Sequence, residues 1–336
     1  MIDQFSPQHH GIMEKERTPT DLSALIQGYR LCAKAEGKSP HTISLNVTAL
    51  NLFREFLDAT GLPTDVNGVG VQEIRKFILY LQQLRAWRRH PTISPRNRGL
   101  SGHSINSYLR AVSAFWSWLI AEEIITSNPF SRVKIPRPPK KVMPTFNEAQ
   151  IRSLLDVINR SKSPGIRDRA MVLTLLDTGI RVTELVNLKL EDIDLEGGML
   201  KVSGKGSRKR LVPIGTRVQR ALWKYIHQFR PEPTLKANSL FLNRNGGPLT
   251  RVYVGTLLKR YGMKTGIEGV RCSPHTFRHT FAISYLRNGG DVFSLQHILG
   301  HSSLDVVRVY VNLAQADIKA AHRRYSPADN MNLGNR

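Results

Sequence analysis

Cysteine is almost absent from this chain of 336 residues: there are two, Cys32 and Cys272, far apart in sequence. That excludes a disulfide framework and a cysteine zinc site. It fits a reducing compartment, so a cytoplasmic location is expected. Long apolar runs are missing too: no stretch reaches the roughly 18 consecutive apolar residues of a membrane-spanning helix. The first residues carry acids, prolines and histidines but no apolar run, so they do not read as a signal peptide. Acids are scarce: 26 Asp and Glu stand against 49 Lys and Arg, a formal net charge of +23. So basic a balance points to a polyanionic partner, with nucleic acid first and an anionic membrane surface second.

What is present suits ordinary folded domains. Hydrophobic residues make up 40%, and the length favours two domains over one. Residues 1–18 have no period and are expected to be disordered. Four amphipathic helices follow: Asp21 to Glu36, Pro40 to about Gly61, about Val71 to Arg89, and one starting after Ser101. Ser39-Pro40 is a strong helix start, a capping residue followed by proline at the first helical position. Between the last two helices, Arg85–Leu100 holds Arg85, Arg88, Arg89, Arg96 and Arg98 and no acid. It reads either as a solvated loop or as one that orders on phosphates. Ser131 to Pro144 has four prolines and five Lys or Arg, so an extended basic linker is expected there.

The rest reads as mostly helical. Asn147 and Gln150 give a capping-box start, and helices are expected at 147–160, 167–178, 216–229, 250–264, 276–288, 292–299 and 303–312. Leu200–Val202 and Leu211–Pro213 read as a hairpin, with Ser239–Leu242 as a third short strand. Ala316–Arg324 reads as a short amphipathic helix, and Ser326–Arg336 as a disordered end.

One stretch concentrates chemistry. In Pro-His-Thr-Phe-Arg-His-Thr (274–280), His275 and Arg278 lie three apart and share a helix face. His301 follows Gly300, a helix stop, and Tyr310 follows in a run that again reads as helical. Cations beside one tyrosine suit attack on a phosphodiester: guanidinium and imidazole hold the phosphate oxygens while the phenol attacks. Each residue also has an ordinary reading. Arg181 is a surface arginine paired with Glu184, Lys205 a solvated turn lysine, His301 a substitute helix cap, and Tyr310 a core residue beside Leu304 and Val307. His275 with His279, and His297 with His301, are spaced like metal ligands. They lack the Glu of a His-Glu-x-x-His motif and a nearby acidic cluster, so no metal is expected. Ser203-Gly-Lys-Gly fails as a phosphate loop, with Met199 where glycine is required and Gly206 in place of Ser or Thr, so no ATP site is expected.

In order and spacing these residues resemble the tyrosine recombinase (phage integrase) family, whose set is Arg, Lys, His-x-x-Arg, His or Trp, and Tyr. The matches are Arg181 in Thr-Gly-Ile-Arg-Val-Thr-Glu-Leu, Lys205 in Gly-Lys-Gly-Ser-Arg-Lys-Arg, His275, Arg278, His301 and Tyr310. The resemblance runs from roughly Ser23 to Ser326. It implies a mostly α fold with a small antiparallel sheet. A four-helix SAM-like core-binding domain (19–127) and a linker (128–145) would lead to a catalytic domain of the DNA breaking-rejoining fold (146–326), with a disordered tail (327–336). It implies a site-specific recombinase of the simpler, Xer-like two-domain form. Tyr310 would attack the scissile phosphate to give a 3′-phosphotyrosyl bond, and strands would exchange through a Holliday junction without metal or ATP. Lys205 would protonate the leaving 5′ oxygen, and Glu184 would orient Arg181. His279 would be structural, and His297 a helix-surface residue. The partners implied are double-stranded DNA and a homotetramer on two sites, alone or with a related recombinase. The helix after Tyr310 would dock on a neighbouring protomer. A type IB topoisomerase and a non-catalytic DNA-binding protein on the same fold are the alternatives.

Overall fold

The computed structural model describes residues 20–85, 99–136, 144–159, 161–204, 209–234 and 238–301, with 304, 307–308, 310–311, 322–323 and 325–331. The chain divides into two units, 1–141 and 142–336. It is mostly helical, with one three-stranded antiparallel sheet. Among the described residues no helix is long and apolar enough to cross a membrane.

The first unit holds α1 (Leu22–Ala35), α2 (Pro40–Ala59), α3 (Val71–Gln83) and α4 (Gly102–Ala121). Local chemistry sets their starts. The Asp21 carboxylate accepts from the amides of Ser23 and Ala24, the Ser39 hydroxyl from that of Thr42, and the Ser101 hydroxyl from that of Ser104. Each cap satisfies an amide that the first helical turn leaves free. The apolar stripes then meet in one core, where Leu50, Phe53, Phe77, Leu109, Phe115 and Trp116 are fully buried. Phe53 meets Phe77 at 4.8 Å and Trp116 at 5.5 Å between ring centroids, both edge-on, as aromatic quadrupoles prefer.

Helix α3 is shorter than the expected Val71 to Arg89. Leu84 is already extended, its carbonyl accepts from the Leu100 amide, and Arg85 pairs with Gly99. The rest of the arginine-rich loop, 86–98, and the start of the chain lie outside the described residues. The expected extended linker opens with a 3-10 turn, Pro129–Arg132. Asn128 caps it and buries Phe130 in the core.

The second unit holds α5 (Glu148–Asp156), α6 (Ser163–Thr178), α7 (Val182–Asn187), β1 (Ile193–Asp194), β2 (Met199–Ser203), β3 (Lys209–Pro213), α8 (Thr216–Lys224), α9 (Arg251–Lys264), α10 (Pro274–Arg287) and α11 (Val292–Leu299). At the start of α5 the Asn147 side-chain oxygen accepts from the Gln150 amide and the Gln150 side-chain oxygen accepts from the Asn147 amide, a capping box. Helix α6 is buried around most of its circumference and forms the axis of this core. Buried Arg167 and Asp168 pair within it, and the Tyr261 hydroxyl donates to Asp168 at 2.7 Å, anchoring α9. Strand β2 pairs with β3 in the register Leu200↔Val212 and Val202↔Arg210.

The third strand is Ile193–Asp194, not Ser239–Leu242. Among the described residues Ser239 and Leu242 make only isolated bridges, to Lys189 and Pro248, and no ladder forms around the buried Leu240–Leu242. The helix expected over 216–229 changes to a π-helical turn at Tyr225–Phe229. Residues 304, 307, 308, 310 and 311 are helical. Pro327–Asn330, expected in a disordered end, is a helical turn, because Ser326 caps it and proline suits its first position. Most of the helix expected at 316–324 lies outside the described residues.

Candidate active site

Two helix ends frame the site. Helix α6 stops at Gly179 with φ +60°, and α11 stops at Gly300 with φ +64°. Both are left-handed stops that favour glycine. A Cβ at Gly179 would fall 2.5 Å from the Phe281 ring, and one at Gly300 would fall 2.9 Å from the Arg210 guanidinium. These stops release the chain toward Arg181 and straight into His301. Arg278, on α10 and only 6% exposed, ties the two ends together. Its Nη1 donates to the Gly179 carbonyl at 2.8 Å, and its Nη2 to the Leu299 carbonyl at 2.9 Å. Carbonyls at helix C-termini lack intrahelical partners and carry partial negative charge, so they suit a buried cation. Burial, then the charge of Arg181, pulls the Arg278 pKa down to about 10, which still leaves it charged at neutral pH.

A carboxylate holds the next two arginines. Glu184, in the first turn of α7, accepts from the Arg181 backbone amide at 2.8 Å and from Arg181 Nη1 at 3.0 Å. Arg210, on β3, donates Nη1 and Nη2 to the two Glu184 oxygens at 3.0 and 2.9 Å. Its Nε donates to the Ile298 carbonyl at 2.8 Å. Burial works against the Glu184 charge, but the hydrogen bonds from Arg210 and the Arg181 amide outweigh it and hold its pKa below the usual value. Arg181 remains partly exposed, with 42% of its side chain accessible, so its remaining donors can reach an oxyanion.

His301 Nε2 lies in close hydrogen-bonding contact with Arg278 Nη2. A guanidinium only donates, so Nε2 accepts and the proton sits on Nδ1. That Nδ1 is buried without a hydrogen-bond partner among the described residues. Burial, then Arg278 and Arg181, pulls the His301 pKa to about 4, so the ring is neutral at neutral pH.

The Tyr310 side chain lies within the same cluster, 3% exposed. Its ring centre is 6.5 Å from that of His301 and 5.6 Å from that of His279. Its hydroxyl meets His279 Nδ1 at 3.0 Å. Burial raises the phenol pKa, while Arg278 and Arg181 work to lower it. His275 sits exposed in the first turn of α10.

Of the six residues expected from sequence, Arg181, Arg278, His301 and Tyr310 thus share one cationic cluster, with His275 on the helix that carries Arg278. Lys205 lies outside the described residues, between the ends of β2 and β3. Two contributors had no role on sequence grounds: Arg210, which closes the Glu184 pair, and His279, expected to be structural, which meets the phenol. Among the described residues no three His, Cys, Asp or Glu side chains cluster as metal ligands would.

This arrangement, a tyrosine within a cationic cluster built on a helical scaffold, is that of a tyrosine recombinase. The chain belongs to the Phage integrase family, whose model matches residues 144–317. It is 30% identical to the tyrosine recombinase XerD of Listeria monocytogenes over 87% of this chain and 94% of that one. It is 31% identical to XerD of Staphylococcus haemolyticus over 80% of this chain and 94% of that one. In fold it is similar to the Tn1549 transposon integrase solved with a circular intermediate DNA, at TM-score 0.70 and 22% identity over 90% of this chain and 100% of that one. It is also similar to the XerH site-specific recombinase bound to its difH substrate, at TM-score 0.68 and 20% identity over 92% and 85%. The chain is accordingly a tyrosine-type site-specific DNA recombinase.

Proposed function

We propose that Tyr310 is the nucleophile of this recombinase and that Arg181, Lys205, His275, Arg278 and His301 complete its catalytic set. The observation that carries this reading is the phenol set among Arg278, His279 and His301, beside the paired Arg181. Tyr310 attacks the scissile phosphate of double-stranded DNA, its oxygen bonds to phosphorus, and the P–O5′ bond breaks. Arg181 and Arg278 hold the charge that builds on the non-bridging oxygens. Lys205 gives a proton to the departing 5′ oxygen. The phosphotyrosine conserves the bond energy, so the freed 5′ hydroxyl of another strand can rejoin it without ATP or metal. Four protomers act on two duplexes, and the reaction runs in the cytoplasm.

The test is covalent trapping on a nicked suicide substrate, read on a denaturing gel. The wild-type protein is expected to trap DNA with EDTA present, because cationic side chains do the work of an ion. Tyr310→Phe is expected to bind DNA with unchanged affinity and trap none. Trapping by the Phe variant moves the nucleophile elsewhere. Activity lost in EDTA and restored by magnesium identifies a metal nuclease instead. Paired sites on a supercoiled plasmid separate the rivals: recombinants are expected, whereas topoisomers alone mean a type IB topoisomerase.

A further inference from the structure

The Tyr310 hydroxyl lies 3.0 Å from His279 Nδ1, on hydrogen-bonding terms with that ring, while the Arg278 guanidinium also interacts with the phenol. His279 is on α10, directly after Arg278, and half-buried. A nucleophile needs a base within hydrogen-bond reach, and a phenol at its ordinary pKa keeps its proton at neutral pH. His279 and His301 stand near this tyrosine, and His275 lies one turn before His279 on the same helix. His301 Nε2 is turned to Arg278, which occupies its lone pair. His275 is exposed in the first turn of α10. His279 alone of the three has a ring nitrogen on the phenol oxygen.

We propose that His279 is the general base that accepts the Tyr310 proton through Nδ1 during DNA cleavage. The proposal rests on the reading of Tyr310 as nucleophile. In the resting site Nδ1 accepts the phenol O–H and the ring proton sits on Nε2. Burial, then the charges of His275 and Arg278, favours that neutral ring and leaves its lone pair available. On attack the Tyr310 O–H bond breaks and its proton moves to Nδ1 as the oxygen bonds to phosphorus. The P–O5′ bond breaks, and O5′ leaves with the Lys205 proton. On rejoining, a 5′ hydroxyl attacks phosphorus and gives its proton to Lys205. The Tyr310 oxygen leaves and recovers its proton from Nδ1 of His279, now acting as acid. Protons and bonds balance over the cycle with no further reactant.

The test uses the full-length protein in single-turnover cleavage of the nicked suicide substrate. His279→Asn is the informative variant: its side-chain oxygen falls near the place of Nδ1 and still accepts the phenol hydrogen bond, but it cannot take a proton. His279→Ala removes both functions. Gel shifts and thermal melting establish that each variant folds and binds DNA. Both are expected to cleave about 100-fold more slowly than wild type, the usual scale for a lost general base. Replacing Tyr310 by 3,5-difluorotyrosine lowers the phenol pKa, so the His279→Asn deficit is expected to shrink to under about tenfold. A merely structural histidine would not respond to the acidity of its neighbour. His279→Asn cleaving within about threefold of wild type, or a deficit unchanged by difluorotyrosine, overturns the proposal while leaving Tyr310 as nucleophile. Cleavage by Tyr310→Phe overturns the underlying reading, and the proposal with it.

Discussion

The residue that settles the charge balance of the site is Glu184. Its side chain is 4% exposed and that of Arg210 is 10% exposed. Removing one partner of a buried ion pair leaves the other charge uncompensated, which costs far more than an exposed pair contributes. Glu184→Gln is expected to destabilise the protein by about 3 kcal/mol in urea unfolding. It should also slow cleavage, because Arg181 loses the group that fixes it.

The histidines set a pH window. The unfolded chain protonates His301 near the ordinary value of 6.5, whereas the folded ring resists until about 4. His279 is shifted in the same direction. The unfolded state therefore binds more protons across that range, so stability is full above about 6.5 and is lost as pH falls toward 4. Glu184, depressed below its ordinary 4.5, adds a loss as pH falls through the carboxylate range. The melting temperature should drop over this window, and His301→Asn should flatten the drop.

Arg181, Arg278, His301 and Tyr310, which the structure brings together, could be picked out by their order and spacing along the chain. The roles of Arg210 and His279 could not. Their roles depend on partners 26 and 31 residues away in sequence, and so on how β3 and the segment bearing Tyr310 fold back.

At the scale of elements, the site depends on how α6 and α11 stop. Gly179 combines a positive φ, a Cβ position already filled by Phe281 and Leu299, and a carbonyl that receives Arg278. Gly179→Ala is therefore expected to cost about 1–3 kcal/mol, since the left-handed strain and the clash act together. It should also reduce cleavage more than DNA binding, because Arg181 and Arg278 move. Thermal melting beside trapping and gel-shift assays measures both. The stop at Gly300 was readable in the sequence, and so were the starts after Ser39 and Ser101 and at Asn147. The missed elements lack such marks. Strand β1 is two residues long, too short to alternate, and is completed by a turn in which the Gly197 amide donates to Asp194. Helix α3 keeps its apolar period past its true end, and what stops it is the pairing of Arg85 with Gly99, a contact fourteen residues on.

At the scale of the molecule the described residues form two hydrophobic cores, one built from residues between Leu22 and Phe130 and the other between Phe146 and Tyr310. Each unit falls within the usual size of a domain with its own core. Residues 1–141 and 142–336, made separately, are therefore each expected to melt cooperatively. The intact chain should show two calorimetric transitions. Both pieces contribute to a chain with net charge +23. Their attraction to DNA is expected to follow counterion release, with log affinity falling linearly against log salt. Joining them makes the second binding step intramolecular, at an effective concentration of about a millimolar. The intact chain should thus bind its site at least about 100-fold more tightly than the better fragment. Its salt slope should be steeper than that of either fragment, since the phosphates neutralised by the two add. Gel shifts of the three proteins across a salt series measure this. An intact chain with the affinity and slope of residues 142–336 alone would mean that residues 1–141 leave the duplex untouched and serve another partner.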